Sequence, residues 1–201
     1  MAGIVVGDDG RPRCWWCGDD PDYVAYHDLE WGRPEHDEVR LFEKLVLEGF
    51  QAGLSWLTIL RRREVLREAF AGFDPERLAA FDHVDVDHLL ADARVIRNRA
   101  KIEAAVANAR GYLRLREEGT TLDALVWRFA PSPGPAPRRP ADVPAATSSS
   151  RALARELKRR GWRFVGPTTA YAFMQSMGLV DDHLADCHVR GVATTGDLPR
   201  D

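Results

Sequence analysis

No apolar run in this chain of 201 residues reaches the roughly 18 that a membrane helix needs. No secretory leader precedes the first structured stretch either, so the expectation is a soluble, intracellular protein. Cysteine is scarce: Cys14, Cys17 and Cys187 are too few for a disulfide scaffold, and their odd number suits a reducing compartment. Lysine is scarce too, with 3 residues against 25 arginines, a bias that a GC-rich coding sequence explains. A net charge of −3 gives no global signature for nucleic acid, although one arginine-lined face would be enough for binding. Internal repeats are not visible and β-strand signals are nearly absent, which leaves an all-α fold.

What remains is 45% apolar, enough for the core of one globular domain or of two small lobes. Residues 1–13 are polar and turn-rich and read as a flexible arm, and 189–201 as a flexible polar tail. Between them, 14–188 read as a single all-α domain of two helical lobes. Leu41, Phe42, Leu45 and Val46 give residues 38–49 a helical apolar stripe. Glu48 lies at i+7 from Leu41 on that stripe. A buried carboxylate is costly without a partner, so the position suggests a task; a frayed last turn with Glu48 in water is the ordinary alternative. After a glycine-spaced stretch, 49–54, an amphipathic helix is expected through Leu57, Leu60, Val65, Leu66 and Phe70. Residues 75–119 read as helical with breaks near Asp82 and Ile96, and 122–129 as a short helix. A proline- and serine-rich connector follows, 131–150, with Ser149 or Ser150 capping the next helix.

That next stretch, 151–178, reads as helix, tight turn, helix. The first helix carries Leu153 and Leu157 and stops at Gly161, a residue suited to the left-handed position after a helix. Gly166-Pro167 opens the second, whose Ala170, Phe173, Met174 and Met177 form a core-facing stripe. The N–H groups after Gly166 suit a phosphate, flanked by Arg160 and Arg163; an ordinary packed hairpin fits the spacing equally.

The cysteines and histidines admit several pairings. Cys14-x2-Cys17 has the spacing of a redox motif but no surrounding βαβ pattern, and of half a zinc ribbon but no second half. Cys14-x12-His27 together with His183-x3-Cys187 makes a Cys2His2 set, a complete tetrahedral shell for zinc. If Asp182 caps a short helix, His183 and Cys187 share one of its faces. His36, His83, His88 and His188 have no partner at ligand spacing and read as surface or core residues.

Three motifs resemble DNA-3-methyladenine glycosylase I, a family of the helix-hairpin-helix glycosylase superfamily. They are Asp20-Pro21-x-Tyr23-x-Ala25-Tyr26-His27-Asp28-x-Glu30-Trp31-Gly32, Leu47-Glu48-Gly49-x-Gln51-Ala52-Gly53-Leu54-Ser55-Trp56, and Arg160-Gly161-x-x-Phe164-Val165-Gly166. The resemblance runs from about Cys14 to Cys187. It implies one structural zinc on Cys14, His27, His183 and Cys187, with no organic cofactor. It implies a lesion pocket made by Glu48 with Trp16, Tyr23, Tyr26 and Trp56, and a hairpin that grips DNA phosphates through Arg163, Gly166 and Thr168. The implied reaction is hydrolysis of the N-glycosidic bond of 3-methyladenine in double-stranded alkylated DNA, leaving an abasic site without lyase cleavage. A monomer in the bacterial cytoplasm, at the nucleoid, would carry it out. Cys17 stands outside the family pattern. Val180-Asp181-Asp182-His183 matches an element in which superfamily members acting on neutral bases carry a catalytic aspartate. Asp181 therefore reads either as a stabiliser of the developing sugar cation or as a helix cap.

The implied chemistry suits these residue types. Adenine methylated at N3 is positively charged, which already weakens its bond to the sugar, so the task is to flip the nucleotide out and select the cation. Aromatic faces attract a desolvated cation by about 2 kcal/mol or more, and a carboxylate can accept hydrogen bonds from the base edge. Two other classes compete with this reading. A non-catalytic zinc-stapled DNA-binding module would not need Glu48 with its aromatics, and a zinc hydrolase using Glu48 as base would need an open metal position that four protein ligands deny.

Overall fold

An antiparallel pair of short strands, β1 (Ile4–Val6) and β2 (Pro12–Cys14), lies where the sequence suggested a flexible arm. Charge fixes it: the buried Arg13 guanidinium holds Asp9 at 2.6 Å and Asp28 at 2.8 Å. The all-α expectation is thereby corrected to a mostly helical fold with one two-stranded sheet. The computed structural model describes residues 3–191. Val189, the first residue of the expected tail, is buried with Cys14, Leu184 and Cys187; the tail from 192 onward lies outside the described residues.

The chain divides into two compact units, each assembled from segments distant in sequence. The first comprises residues 1–35, 130–145 and 174–201, and the second 36–129 and 146–173. Besides the sheet, the first unit holds α1 (Pro21–Leu29), which Asp20 caps by accepting from the N–H groups of Asp22 and Tyr23, with Pro21 in the first turn.

The second unit is built on α2 (Glu38–Gln51). The sequence suggested one apolar stripe, but every residue from Leu41 to Phe50 is buried, as in a helix enclosed on all sides. Its charged residues are therefore paired: Glu43 meets the Arg67 guanidinium at 3.0 Å, and Glu48 meets the Lys44 ammonium at 3.1 Å. The single helix expected after Ser55 is two, α3 (Trp56–Leu60) and α4 (Arg63–Ala69). Next come α5 (Pro75–Ala79), α6 (His83–Ala91), α7 (Arg99–Glu117) and α8 (Leu122–Trp127). Phe50, Phe70 and Phe73 pack ring to ring in the core. Each such burial is worth roughly 1.5–3 kcal/mol relative to exposure.

α9 (Ser148–Arg159) and α10 (Pro167–Ser176) form the expected hairpin, with the last turn of α10 belonging to the first unit. The cap lies just before the expected serines: Thr147 accepts from the N–H of Ser150, whose hydroxyl accepts from that of Thr147. Gly161 ends α9 at φ +82°, and the N–H of Trp162 returns to the Leu157 carbonyl. Asn108 of α7 clamps the turn, donating to the Arg163 carbonyl at 3.1 Å and accepting from its N–H at 2.8 Å.

Candidate active site and metal site

Glu48 lies one turn before the end of α2, 6% exposed, and its remaining surface opens into a cleft of about 260 Å³. The cleft is lined also by Gln51, Ala52, Gly53 and Leu54 from the glycine-spaced stretch, and by Thr168, Thr169 and Ala172 from α10. All of these belong to the second unit. The end of α2 is held by the Lys101 ammonium, which donates to the carbonyls of Phe50 and Ala52 at 2.8 and 2.6 Å. Burial pushes the Glu48 carboxyl above the ordinary carboxylate range, and the Lys44 ammonium opposes that rise. The same ammonium sits 3.3 Å from the centroid of the Trp56 ring. Glu48 is thus a buried acceptor facing a cleft, and a frayed end in water is excluded.

The second cluster belongs to the first unit. One ligand atom each from Cys14, His27 and Cys187, all buried, lie within 4.8 Å of one another. His183 stands beside them, its ring 5.1 Å from that of His27, and its buried Nε2 has no hydrogen-bond partner. The Cys14 thiol donates toward Cys187, which draws the Cys187 thiol down into the thiolate range while Cys14 is pushed up. Two thiols and an imidazole within reach of one another, with the unpartnered His183 Nε2 buried nearby, are the donors a soft or borderline cation takes, so these residues fit a metal ion. Cys17 lies outside the set. Burial pushes its thiol up to about 11, and it donates weakly to the Gly18 carbonyl at 3.7 Å.

His183 and Cys187 do not share a helix, which corrects the expectation at Asp182: residues 179–187 are irregular, with a bend at Leu179–Val180 and a turn at Ala185–Asp186. Asp181 Oδ1 accepts from the His183 N–H at 3.1 Å and lies 2.9 Å from Nδ1, so it caps a turn and fixes the ring. With Nδ1 donating, Nε2 carries the lone pair a metal needs. On the other side Asp28 lies 2.8 Å from His27 Nδ1 and 3.0 Å from His188 Nε2, so His188, which has no partner at ligand spacing in the sequence, joins this network.

Trp16 packs edge-on against Tyr23 at 5.8 Å, Tyr26 at 6.3 Å and His27 at 5.2 Å, all within the first unit. Arg163 and Thr168 are exposed and Gly166 is half-buried; Thr168, expected to meet DNA, also lines the Glu48 cleft. Sequence reasoning missed Lys44, Asp28, Trp31 and Thr169. The first had a usable signal, because Lys44 precedes Glu48 by four residues on the same helix. For Trp31, whose ring lies 4.6 Å from that of His183, and for Asp28 on α1, the role shows only once the chain is folded.

The Methyladenine glycosylase family profile matches residues 16–190. The chain is 49% identical over 178 residues to the DNA-3-methyladenine glycosylase of Haemophilus influenzae, covering 87% of this chain and 96% of that one. The crystal structure of 3-methyladenine DNA glycosylase I superposes with a TM-score of 0.85 at 47% identity, covering 88% of this chain and 98% of that one. A single-residue variant of a 3-methyladenine DNA glycosylase I, crystallised in complex with 3-methyladenine, gives 0.83 at 35% identity, covering 88% and 96%.

Proposed function

The chain belongs to the methyladenine glycosylase family, and on that footing we propose that it is a DNA-3-methyladenine glycosylase: it hydrolyses the N-glycosidic bond of 3-methyladenine in alkylated double-stranded DNA and releases the free base. The observation that carries the reading is Glu48, an acceptor buried at the head of a base-sized cleft. Binding a cation beside a desolvated carboxylate selects the charged lesion over neutral adenine, because the interaction is strong where water is excluded. Trp56, packed behind the carboxylate on the Lys44 ammonium, supplies aromatic surface beside it. The base must leave the stack to reach such a cleft.

Further parts of the reading follow from this chain's residues. The hairpin of α9 and α10 anchors backbone phosphates through Gly166, Thr168 and Arg163, consistent with N–H groups at the start of a ten-residue helix. A zinc ion on Cys14, His27, His183 and Cys187 serves structure, its four protein donors leaving no open position for chemistry; Asp181 and Asp28 orient its histidines, a role that uses the Asp181 carboxylate without requiring contact with the sugar. Lyase cleavage is not expected. It needs an amine able to attack the sugar, whereas Lys44 is held by Glu48 and Lys101 by two carbonyls, and Lys158 is exposed on α9. One chain supplies every residue invoked, so a monomer suffices. Residues 14–188 make up the glycosylase domain of this reading.

The test is release of free base from methylated duplex DNA, resolved by base type, with strand cleavage scored in parallel. Release of 3-methyladenine with the backbone intact supports the reading. Absence of any released base, or cleavage of the strand without added base, overturns it.

A further inference from the structure

A lysine buried beside the carboxylate is unexpected in a site meant to receive a positively charged base. Its ammonium is 3.1 Å from Glu48 Oε1 and 3.3 Å from the Trp56 ring centroid, and its side chain is 6% exposed. It does not line the cleft, whereas Glu48 does. Lys44 therefore meets the carboxylate at Oε1 away from the cleft lining, while Glu48 itself reaches the cleft. Trp56 seals the ammonium from the other side, so the contact is held by packing and charge together.

We propose that Lys44 is the positioning residue of the Glu48 site: wedged between carboxylate and indole, it holds Glu48 in its charged form and directs one oxygen at the base. The inference rests on the reading of Glu48 as the base acceptor. Its physical reason is desolvation, which alone would favour a protonated carboxyl with half the accepting capacity and no charge to discriminate a cation. The other groups facing Glu48 do not supply the missing charge. Gln51 of α2, Trp56 of α3 and Thr168 and Thr169 of α10 are neutral, and Lys101 of α7 is committed to the carbonyls of Phe50 and Ala52. Lys44 is the charged group whose interaction opposes the rise in Glu48.

The experiment compares full-length wild type with Lys44→Gln, in which an amide replaces the ammonium at similar length. Carboxyl NMR on labelled glutamate should show the Glu48 midpoint rising by about one to three pH units in the variant. An unchanged midpoint overturns the proposal. Calorimetry at neutral pH with a doubly methylated, permanently cationic adenine should show about ten-fold weaker binding to Lys44→Gln, with neutral adenine unaffected. Tighter binding of the cation overturns it, since Lys44 would then be a competitor for the site. In a Glu48→Gln background the Lys44 substitution should cause no further loss; a full additional loss means that Lys44 acts on its own. If Lys44→Gln fails to fold, the wild type still decides: Lys44 ammonium and Glu48 carboxyl signals should shift in one common pH step, and independent steps refute the coupling. Absence of 3-methyladenine release by wild type would overturn the proposed function, while the titration would still decide the pairing.

Discussion

At the scale of single residues, Glu48 carries the sharpest expectation. Its place on a buried face was legible, because residues seven apart share a side of a helix and Leu41 marks that side. Its partner was offered by the i,i+4 spacing of Lys44 but passed over, because a lysine in a helix reads as solvated surface until the helix is known to be enclosed. Glu48→Gln keeps shape and one acceptor while removing charge. Losing one charge-assisted contact costs roughly 1.5–3 kcal/mol, so single-turnover excision of 3-methyladenine should fall about ten- to a hundred-fold. Residual release should persist, since the lesion is intrinsically labile. Wild-type rates would remove Glu48 from recognition. A second residue-scale expectation separates the two neighbouring cysteines. Cys14 belongs to the three-donor cluster and Cys17 does not, so Cys14→Ser should lower bound zinc well below one per chain while Cys17→Ser leaves it intact. Elemental analysis of freshly purified variants decides between them, and the reverse outcome would move the ligand set.

Among elements, the helices were the most legible, since Leu153, Leu157, Ala170, Phe173 and Met174 fall at helical spacing and are all buried. Two short elements were misread, each for a tertiary reason. β1 and β2 have three residues apiece, too few for a period, and Arg13 anchors them to Asp28 fifteen positions away. Residues 179–187 carry a helix-like His-x3-Cys spacing, but Gly178 precedes them at φ +71° and Asp181 captures the His183 N–H, which breaks a helix before its first turn. A Cβ on Gly178 would meet the Arg33 backbone at 2.4 Å, so the turn there is tightly specified. For the α9–α10 hairpin the expectation concerns DNA. Gly166 has nothing within 4 Å of an added Cβ, so Gly166→Asp should fold normally. It sets a negative charge at the start of α10, where phosphate is expected. Binding to any duplex, damaged or not, should weaken by about ten-fold or more at fixed low salt, while free 3-methyladenine binding is retained. Equal duplex affinity for variant and wild type would take the hairpin out of the DNA contact.

On the scale of the whole molecule, the proposed metal donors and the proposed base site belong to different units: Cys14, His27, His183 and Cys187 fall in the first, and the lining of the Glu48 cleft falls entirely in the second. Neither unit is continuous in sequence, which is why the division was hard to place from a linear reading; the donors come from segments some 160 residues apart that fold as one. Such a site contributes by closing a long loop and by binding the folded state alone, so its removal is read as stability. Stripping the metal with a chelator under reducing conditions should lower the thermal midpoint by about 5–10 °C, which corresponds to roughly 2–3 kcal/mol for a chain of this size. A structural role predicts that apoprotein held well below its midpoint still binds 3-methyladenine and still releases it at a measurable rate, because Glu48 and its lining take no part in ligation. A metal serving as the hydrolytic centre predicts instead that excision disappears with the ion at every temperature and returns on readdition, with the midpoint barely moved. Thermal denaturation and single-turnover excision on the same apo and reconstituted samples distinguish the two. Loss of activity without loss of stability would favour the zinc hydrolase reading instead.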